Sequence, residues 1–530
     1  MVMRWLVICL VAACGRINFN ALTDDGGSAG GDDGGPTTSD GGGSPGLEVA
    51  PILVGQQAYV KASNTDTDDG FGSAVALSAD GSTMAVGAPA EASAATGIAG
   101  NQASNSAPSA GAVYVFTRSG TTWTQQAYIK ASNTNRSDGF GSSVALSSDG
   151  ALLAVGAPSE ASGARGINGN QADNSAQGAG AVYVFARSGG VWTQTAYLKA
   201  SNTDSGDNFG RALALSADGA TLAVGAVGEA SKTTGIDGDQ TDNSLSNSGA
   251  VYVFVRSASA WSQQAYIKAS NPDPYDAFGA NLSLSDDGNT LAASAPGESS
   301  GATGIDGDQT DNSFGDAGAV YLFSRAGASW TQQAYIKASN ANSLDGFGGS
   351  VALSGDGATL AVGAVWEESA ATGIDGDQFL NGTMLAGAAY VFSRGTRWTQ
   401  SAYVKASNTR TFFFFGSAVG LNRDGTLLVV GASGESGTAA GLNGDQKTNT
   451  ADGAGAAYRF ARLTRGWTQA DYIKSSNTRM GANFGAPLAL SRDGSTLAIA
   501  AARESSNATG INGNQADSSA GWAGAVYVFQ

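Results

Sequence analysis

Carboxylate side chains at regular spacing are the residues of this sequence best suited to do chemistry. One glutamate recurs every 69 positions, except for one interval of 68, and a glutamine follows each glutamate eleven residues later. The glutamates are Glu91, Glu160, Glu229, Glu298, Glu367, Glu435 and Glu504. The glutamine ends the motif Gly-Ile/Leu-x-Gly-x-Gln, so glutamate and motif together predict one loop that is used seven times.

Two copies of this loop read GIDGDQTDN and carry aspartates spaced like the oxygen ligands of a cation. The aspartates are Asp237, Asp239 and Asp242 in one copy and Asp306, Asp308 and Asp311 in the other, with Glu229 and Glu298 placed to complete each shell. Calcium bound in these two loops is therefore one expectation. The alternative, which we favour, is that the side chains hydrogen-bond the loop backbone. Three other copies carry Asn101, Asn170 and Asn514 instead, which argues against a metal in every copy.

Nucleophilic catalysis has few candidate groups. The sequence has no histidine, and its two cysteines, Cys9 and Cys14, both precede the repeats. A Ser-His-Asp or Cys-His arrangement and a Cys/His zinc site are therefore excluded for the repeats. Carboxylate pairs could serve glycoside chemistry, but no copy carries a distinctive pair. We expect a protein that is not an enzyme, with a carbohydrate-binding or carbohydrate-active protein of the lyase or hydrolase type, or a purely structural envelope protein, as the alternatives.

Large apolar residues break the pattern in two neighbouring places, where the other copies are small or polar. The candidates for a partner-binding surface are Trp366, Phe379, Leu380, Met384 and Leu385 in the fifth long loop, and Phe412, Phe413 and Phe414 in the next connection. Clustered exposed aromatics mark interaction surfaces. The alternative is that these residues form a small local core.

The elements that position these residues are short strands. A Phe-Gly pair recurs in step with the glutamates, and so does the motif GAVYVF, in both cases with the same missing residue between Gly387 and Trp398. Each copy holds four stretches with period-two alternation and none with a sustained helical period, which predicts four strands and almost no helix. Seven such units predict an all-β fold, a seven-bladed β-propeller with four-stranded blades.

The strands with which the repeats begin and end predict how the propeller closes into a ring. The repeats begin with a YVKASN strand near Gln57–Ser63 and end with the strand Val526–Phe529. The N-terminal strand should therefore pair beside Val526–Phe529 and complete the last blade. The seven lysines of the YIKASN motif, from Lys61 to Lys474, are expected to point outward. The long loop and the acid-rich connection before each Phe-Gly, such as Asp66, Asp68 and Asp69, should share one rim.

The order Phe-Gly, then Gly-Ala-Pro, then GAVYVF resembles the FG-GAP repeat of the integrin α-subunit propeller and its bacterial relatives, from about Gln56 to Gln530. The resemblance implies a binding or adhesion module at a cell surface, in some relatives with calcium. The integrin calcium loop lies between the first and second strands. Here that connection is Ser78-Ala79-Asp80-Gly81-Ser82, a tight-turn sequence with one aspartate, so that metal site is not expected.

The N-terminus reads as a targeting segment. Residues 1–13 predict a lipoprotein signal peptide, because Arg4 precedes an apolar run that is too short to span a bilayer and Val11–Cys14 resembles a lipobox. Cys14 is the expected lipidation site, and Gly15 after it favours the outer membrane. Residues 14–50 are rich in Gly, Asp and Ser and predict a disordered tether, which leaves 51–530 for the propeller.

The charge limits the partners. The net charge of −17 disfavours nucleic acid, and the lipid anchor should be the only membrane contact. We therefore expect a monomeric, envelope-anchored binding, adhesion or protein-interaction module. Its ligand, a protein or a glycan, should bind the acid-rich rim, with calcium as its only candidate cofactor.

Overall fold

The computed structural model describes residues 52–530, in which 28 strands form seven antiparallel sheets of four strands and no helix occurs. The innermost strands of neighbouring sheets contact each other all the way round, and the last contacts the first. The predicted all-β, seven-bladed β-propeller is therefore confirmed. The signal peptide, Cys14 and the tether lie outside the described residues. No helix in the described part of the chain is long and apolar enough to cross a membrane.

The strands follow the repeat. Strand β1 is Gln56–Val60. Blade 1 contains β2 (Ala74–Leu77), β3 (Thr83–Ala88), β4 (Ala112–Ser119) and β5 (Thr122–Ile129). Blade 2 contains β6 (Ser143–Leu146), β7 (Leu152–Ala157), β8 (Ala181–Ser188) and β9 (Val191–Leu198). Blade 3 contains β10 (Phe209–Leu215), β11 (Thr221–Ala226), β12 (Ala250–Ser257) and β13 (Ala260–Ile267). Blade 4 contains β14 (Leu282–Leu284), β15 (Thr290–Ala295), β16 (Ala319–Ala326) and β17 (Ser329–Ile336). Blade 5 contains β18 (Phe347–Leu353), β19 (Thr359–Ala364), β20 (Ala388–Arg394) and β21 (Trp398–Val404). Blade 6 contains β22 (Phe415–Leu421), β23 (Leu427–Ala432), β24 (Ala456–Leu463) and β25 (Gly466–Ile473). Blade 7 contains β26 (Leu488–Leu490), β27 (Leu497–Ala501) and β28 (Ala525–Phe529).

The two halves of the Phe-Gly motif have different roles in packing. The buried ring of Phe71 meets Tyr114 and Phe116 edge-on, with centroid separations of 5.4 and 6.1 Å. The glycine permits neighbouring blades to touch, because a Cβ at Gly141 would clash with the carbonyl oxygen of Ala112 in the preceding blade. The motif therefore specifies both the core of a blade and its contact with a neighbour.

The N-terminal strand completes the last blade, as predicted. Strand β1 pairs antiparallel with β28, with Tyr59 opposite Tyr527 and Val60 opposite Val526. The sheet order is β1-β28-β27-β26, so the outermost strand of blade 7 comes from the other end of the propeller. This pairing leaves blade 7 with the same number of strands as the other blades.

A closed ring of main-chain hydrogen bonds joins the blades near the axis, opposite the long loops. In the turn between the first two strands of each blade, an amide donates to a carbonyl in the same turn of the next blade, at 2.8–3.1 Å. The donor and acceptor pairs are Ala79 to Ser148, Ser148 to Ala217, Ala217 to Asp286, Asp286 to Gly355, Asp356 to Arg423, Arg423 to Arg492, and Arg492 to Ala79. The ring returns to its starting residue, so all seven blades belong to one hydrogen-bonded circuit.

Candidate binding surface on the loop rim

The long loop between the second and third strands of each blade folds back along the outermost strand. In blade 1, Ile98 forms a β-bridge with Ile129, and the amide of Lys130 donates to the carbonyl of Gly97 at 2.8 Å. Equivalent bridges occur in the other six blades. The Gly-Ile/Leu motif is therefore an extra pairing segment that covers the edge of the blade.

This cover buries the lysines that were expected to point outward, so that expectation is wrong. Lys130 is fully buried, and its ammonium contacts Glu91 Oε2 at 2.7 Å. The pair recurs in every blade at 2.6–3.0 Å. The pairs are Lys61–Glu504, Lys130–Glu91, Lys199–Glu160, Lys268–Glu229, Lys337–Glu298, Lys405–Glu367 and Lys474–Glu435. The period-two alternation of the sequence predicts that one face of the outermost strand is exposed to solvent, but the returning loop covers that face.

Both carboxylate oxygens of each of these glutamates have polar partners. Glu91 also accepts hydrogen bonds from Tyr128 Oη at 2.9 Å, Asn64 Nδ2 at 3.0 Å and the amide of Ser93 at 3.1 Å. Asn64 follows the outermost strand of the preceding blade, so the carboxylate links two blades. Burial lowers the pKa of Lys130, and Glu91 opposes that shift. A buried charge with this many partners is structural, since losing one partner would leave an unpaired ion.

The aspartates expected to bind calcium are occupied by loop amides. In the copy that contains Glu229, Asp237 accepts from the amide of Tyr266 at 2.9 Å, and Asp239 accepts from that of Thr241 at 2.9 Å. Asp242 accepts from the amide of Ser244 at 3.0 Å.

The copy that contains Glu298 has the same arrangement. Asp306, Asp308 and Asp311 each accept a main-chain amide two to twenty-nine residues away, at 2.9–3.0 Å. The structure does not bring either set together with its glutamate, and no group of three acidic, His or Cys side chains in residues 52–530 could hold a metal ion. These residues therefore do not fit the two predicted calcium shells. The hydrogen-bonded loop interpretation matches the contacts.

The connection before each Phe-Gly is less exposed than its acidity suggested. Asp69 is buried beneath the loop, where it accepts from the amide of Asp66 at 3.0 Å. Burial raises the pKa of Asp69 to about 7, and Glu91 adds to the shift. Aspartates at the same place in the next four blade junctions also have a pKa of about 7, with burial as the main cause: Asp138, Asp207, Asp276 and Asp345. The last two junctions have Phe413 and Ala482 instead.

The apolar loops of blades 5 and 6 do lie side by side. The amide of Phe412 donates to the carbonyl of Met384 at 2.9 Å, and that of Phe414 donates to Leu385 at 3.1 Å. Five large apolar side chains of these loops are exposed, and we call them the rim patch: Trp366, Phe379, Leu380, Met384 and Phe412. Phe379 is 70% exposed. The expectation of neighbouring loops is confirmed.

Three of the eight apolar candidates do not belong to the exposed set. Phe413 is 1% exposed and lies in the core shared by blades 5 and 6, in the place of the buried aspartate of other junctions. Leu385 and Phe414 are half-buried. The prediction that Phe413 belongs to an exposed partner-binding surface is therefore wrong, because the run of four phenylalanines alternates between inside and outside.

The backbone under the rim patch is strained. Leu385, Phe412 and Phe414 have φ of 54°, 64° and 53°, in the left-handed region that large side chains disfavour. The residues at the position of Phe412 in blades 3 and 7 are Gly206 and Gly481. The position of Phe412 has left-handed φ in all seven blades, so the conformation belongs to the repeat, and the departure here is the large side chain that adopts it.

Two further exposed residues escaped the sequence analysis. Tyr275 and Leu344 are 66% and 61% exposed, and both lie three residues before a Phe-Gly phenylalanine, as Phe412 does. Three consecutive blade junctions therefore present a large apolar side chain with left-handed φ at the same place. Comparing that one position across copies would have found them.

Comparisons with known proteins agree with this architecture. A family model described as the FG-GAP repeat matches residues 54–116, 123–185, 192–254 and 330–392. No curated protein sequence matches the chain. Among solved structures, hydrazine synthase from Kuenenia stuttgartiensis is similar at 12% identity and a TM-score of 0.44, covering 86% of this chain and 96% of that one. A candidate 6-phosphogluconolactonase from Bacteroides uniformis is similar at 11% identity and a TM-score of 0.42, covering 77% and 86%.

Neither structural likeness is close enough to inform function. The four repeat matches fall in blades whose strands, turns and closing contacts are equivalent to those of the unmatched blades. The fold is compatible with a binding or interaction module. The chain carries four FG-GAP repeats and folds as a seven-bladed β-propeller.

Proposed function

We propose that this chain is a non-enzymatic interaction module of the cell envelope, and that a protein partner binds the rim patch. The observation that carries the proposal is the cluster of five exposed large apolar side chains in two hydrogen-bonded loops. Residues shared by all blades are used in the ion pairs and pairing segments that build the propeller. A single binding site is therefore best sought where the blades differ.

Backbone strain separates this interpretation from a local core. A core residue gains burial in return for its strain, but the side chain of Phe412 is 51% exposed and has left-handed φ. Glycine would fit this backbone without strain, as it does in two other blades. A selected contact with a partner accounts for a phenylalanine here, since the buried area would come from the complex.

Charge points to the chemistry of the partner. Glu368 is exposed next to Trp366, whereas the other six blades have alanine or serine at its position. The carbonyl of Glu368 accepts the amides of Gly382 and Thr383, which fixes the acidic residue beside the apolar loop. A partner segment with apolar side chains and a basic residue would complement both features and the net charge of −17.

Photo-crosslinking tests the proposal directly. In the test variant, a photoreactive residue replaces Phe379. In the control variant, it replaces Met480, which is 69% exposed and lies in the connection between blades 6 and 7. We expect a protein adduct from native envelope at position 379 that is absent at 480 and lost when Trp366→Ser and Phe412→Ser are added. Equal adducts at both positions, or adducts with glycan only, would contradict a protein partner at the rim patch.

Attachment to the envelope is the second part of the proposal. It is supported by the sequence around Cys14 and by the position of the propeller after a long polar segment. Labelled fatty acid should enter the chain and be lost on Cys14→Ser, with Cys9→Ser as the matched control. Equal labelling of both variants would contradict lipidation at Cys14.

A further inference from the structure

A cavity of about 660 Å³ opens between the outer edges of blades 4 and 5, away from the rim patch. Its lining includes Asp306, Gln333, Arg394, Arg397 and Trp398. The volume lies in the range of small-molecule sites, roughly 300–1,000 Å³. The cavity coincides with the place where the repeat is one residue short.

Two other junctions between blades show how a glutamine can fill this region. Between blades 1 and 2, Gln126 Oε1 accepts from Arg187 at 3.2 Å and from the indole of Trp192 at 3.1 Å. Between blades 3 and 4, Gln264 accepts from Arg325 and Trp330 at the same two distances. A glutamine of one blade is thus bound by the arginine and tryptophan of the next.

The shortened hairpin of blade 5 breaks this arrangement. Gln333 is the matching glutamine, but it donates to Thr331 at 2.9 Å and does not bind the hairpin of the next blade. The side chains of Arg394 and Arg397 are exposed and have no hydrogen-bond or ion-pair partner in residues 52–530. The missing residue therefore leaves two free guanidinium groups at one open cavity.

We propose that this cavity binds a sugar that carries a carboxylate, a uronic acid residue of a glycan. A guanidinium group binds a carboxylate with two parallel hydrogen bonds, and Arg394 and Arg397 are free to do so. Asp306, Gln333 and Thr290 line the same cavity and supply acceptors and donors for hydroxyl groups. Trp398, which is 8% exposed, borders the cavity and supplies apolar surface for the face of a sugar ring.

The acidic residue in the cavity argues against a phosphate ligand. Asp306 is exposed and would repel a doubly charged group. A carboxylate carries one charge, and its sugar hydroxyls can donate to Asp306. The combination of two cations, one anion and neutral polar groups therefore favours a singly charged polyol over a strongly charged anion.

Titration of the purified full chain with sodium D-glucuronate, D-glucose and sodium acetate, followed by calorimetry, tests the proposal. We expect binding of glucuronate at least tenfold tighter than of glucose or acetate. The double substitution Arg394→Ala with Arg397→Ala should weaken glucuronate binding by at least tenfold. Arg465→Ala, an exposed hairpin arginine one blade further on, should leave it unchanged.

A second variant restores the normal hairpin. Residues 394–397 are replaced by residues 325–329 of blade 4, which adds the missing residue and should abolish glucuronate binding while the melting temperature stays equal or rises. Equal affinity for glucose, equal affinity for acetate, or unchanged binding in either cavity variant would overturn the proposal. Crosslinking at the rim patch should be the same in all these variants, so the two sites are tested separately.

Discussion

Lys61 Nζ lies 3.0 Å from Glu504 Oε2, although 443 positions separate the two residues. The contact is the seventh copy of an ion pair that elsewhere joins residues within one repeat. It therefore shows that the first strand has the same environment as the outermost strand of every other blade. Both side chains are buried, so the pair holds the ring closed without competition from water.

Deleting residues 56–64 should destabilise the protein far more than deleting residues 20–46. The first deletion removes β1, its pairing with β28 and the ammonium partner of Glu504. The second removes a segment whose only apolar residues are Ala21, Leu22 and Ala29, outside the described part of the chain. Melting temperatures measured by calorimetry check the difference, and equal values for the two deletions would contradict the closing role of β1.

Replacing one partner of the ring-closing pair should be worse than replacing both. Lys61→Met leaves the Glu504 carboxylate buried without its cation, a loss that typically amounts to about 3–5 kcal/mol. Adding Glu504→Gln removes that unpaired charge and should recover part of the stability. Denaturant unfolding of the two variants measures the order. The control is Lys268→Met, which breaks the equivalent pair inside blade 3, where the chain remains continuous. Only Lys61→Met should make the chain sensitive to protease near residue 60 under native conditions.

Acidification from pH 8 to pH 5 should stabilise the propeller through five buried aspartates. The pKa of each is raised to about 7 by burial, above the ordinary value of 3.8, so the folded state binds more protons between these limits. The free energy of unfolding therefore rises as pH falls through 7. Asp138 is faced by Glu160, Lys130 and Lys199, whose charges also act on its pKa.

Asp138→Asn isolates one of these groups. The variant should melt higher than the parent at pH 8, and the difference should shrink by pH 5, where the aspartate is protonated. Ala482→Asp, at a junction without the aspartate, should have the opposite effect. If the difference in melting temperature between Asp138→Asn and the parent does not change with pH, the raised pKa of Asp138 would be contradicted.

Phe412 and Phe413 should respond in opposite ways to substitution, although they are adjacent. Phe413→Ser removes a buried ring and should destabilise the protein by about 3–5 kcal/mol. Phe412→Gly relieves a left-handed residue, which costs roughly 1–2 kcal/mol, so stability should stay equal or rise slightly. Crosslinking at the rim patch should nevertheless fall in Phe412→Gly. Denaturant unfolding and crosslinking yield measure the two effects, and a large loss of stability in Phe412→Gly would indicate a local core.

Removing calcium should not alter the stability of the propeller. The aspartates of the GIDGDQTDN loops accept main-chain amides, and Glu229 and Glu298 are held by lysines. Melting temperature and protease resistance should be the same with calcium and with a chelator. A chelator-induced fall of several degrees would restore the calcium expectation, and Asp239→Asn with Asp308→Asn would then locate the sites.

The fold could be predicted because strand period, turn residues and repeat spacing all depend on local sequence. The position of β1 followed from counting strand types, since a missing copy at one end must be supplied by the other. The lysines and glutamates could not be placed in the same way. Their burial depends on the long loop, which folds back over β5 and its equivalents. The alternation of apolar and polar residues at Tyr128 and Lys130 does not indicate that a loop covers this strand.

The rim patch was half predictable. Departures from the repeat correctly marked Trp366 and Phe379, because an exposed loop position can vary without affecting the blade. Phe413 was misplaced because it replaces a buried aspartate, and a run of identical residues hides which of them points inward. The cavity between blades 4 and 5 was signalled only as a missing residue near Arg394. Its meaning required the contacts of Gln126 and Gln264 for comparison.

The circuit of main-chain hydrogen bonds around the axis has an evolutionary consequence. Amide and carbonyl groups are the same in every residue type, so the circuit persists where the axis carries alanine, serine, glycine, aspartate or arginine. Asp286 has in fact acquired ion pairs with Arg423 and Arg492 there without interrupting it. Duplicated blades held together in this way can diverge one at a time, and a new specificity in one blade does not require matching mutations in the other six.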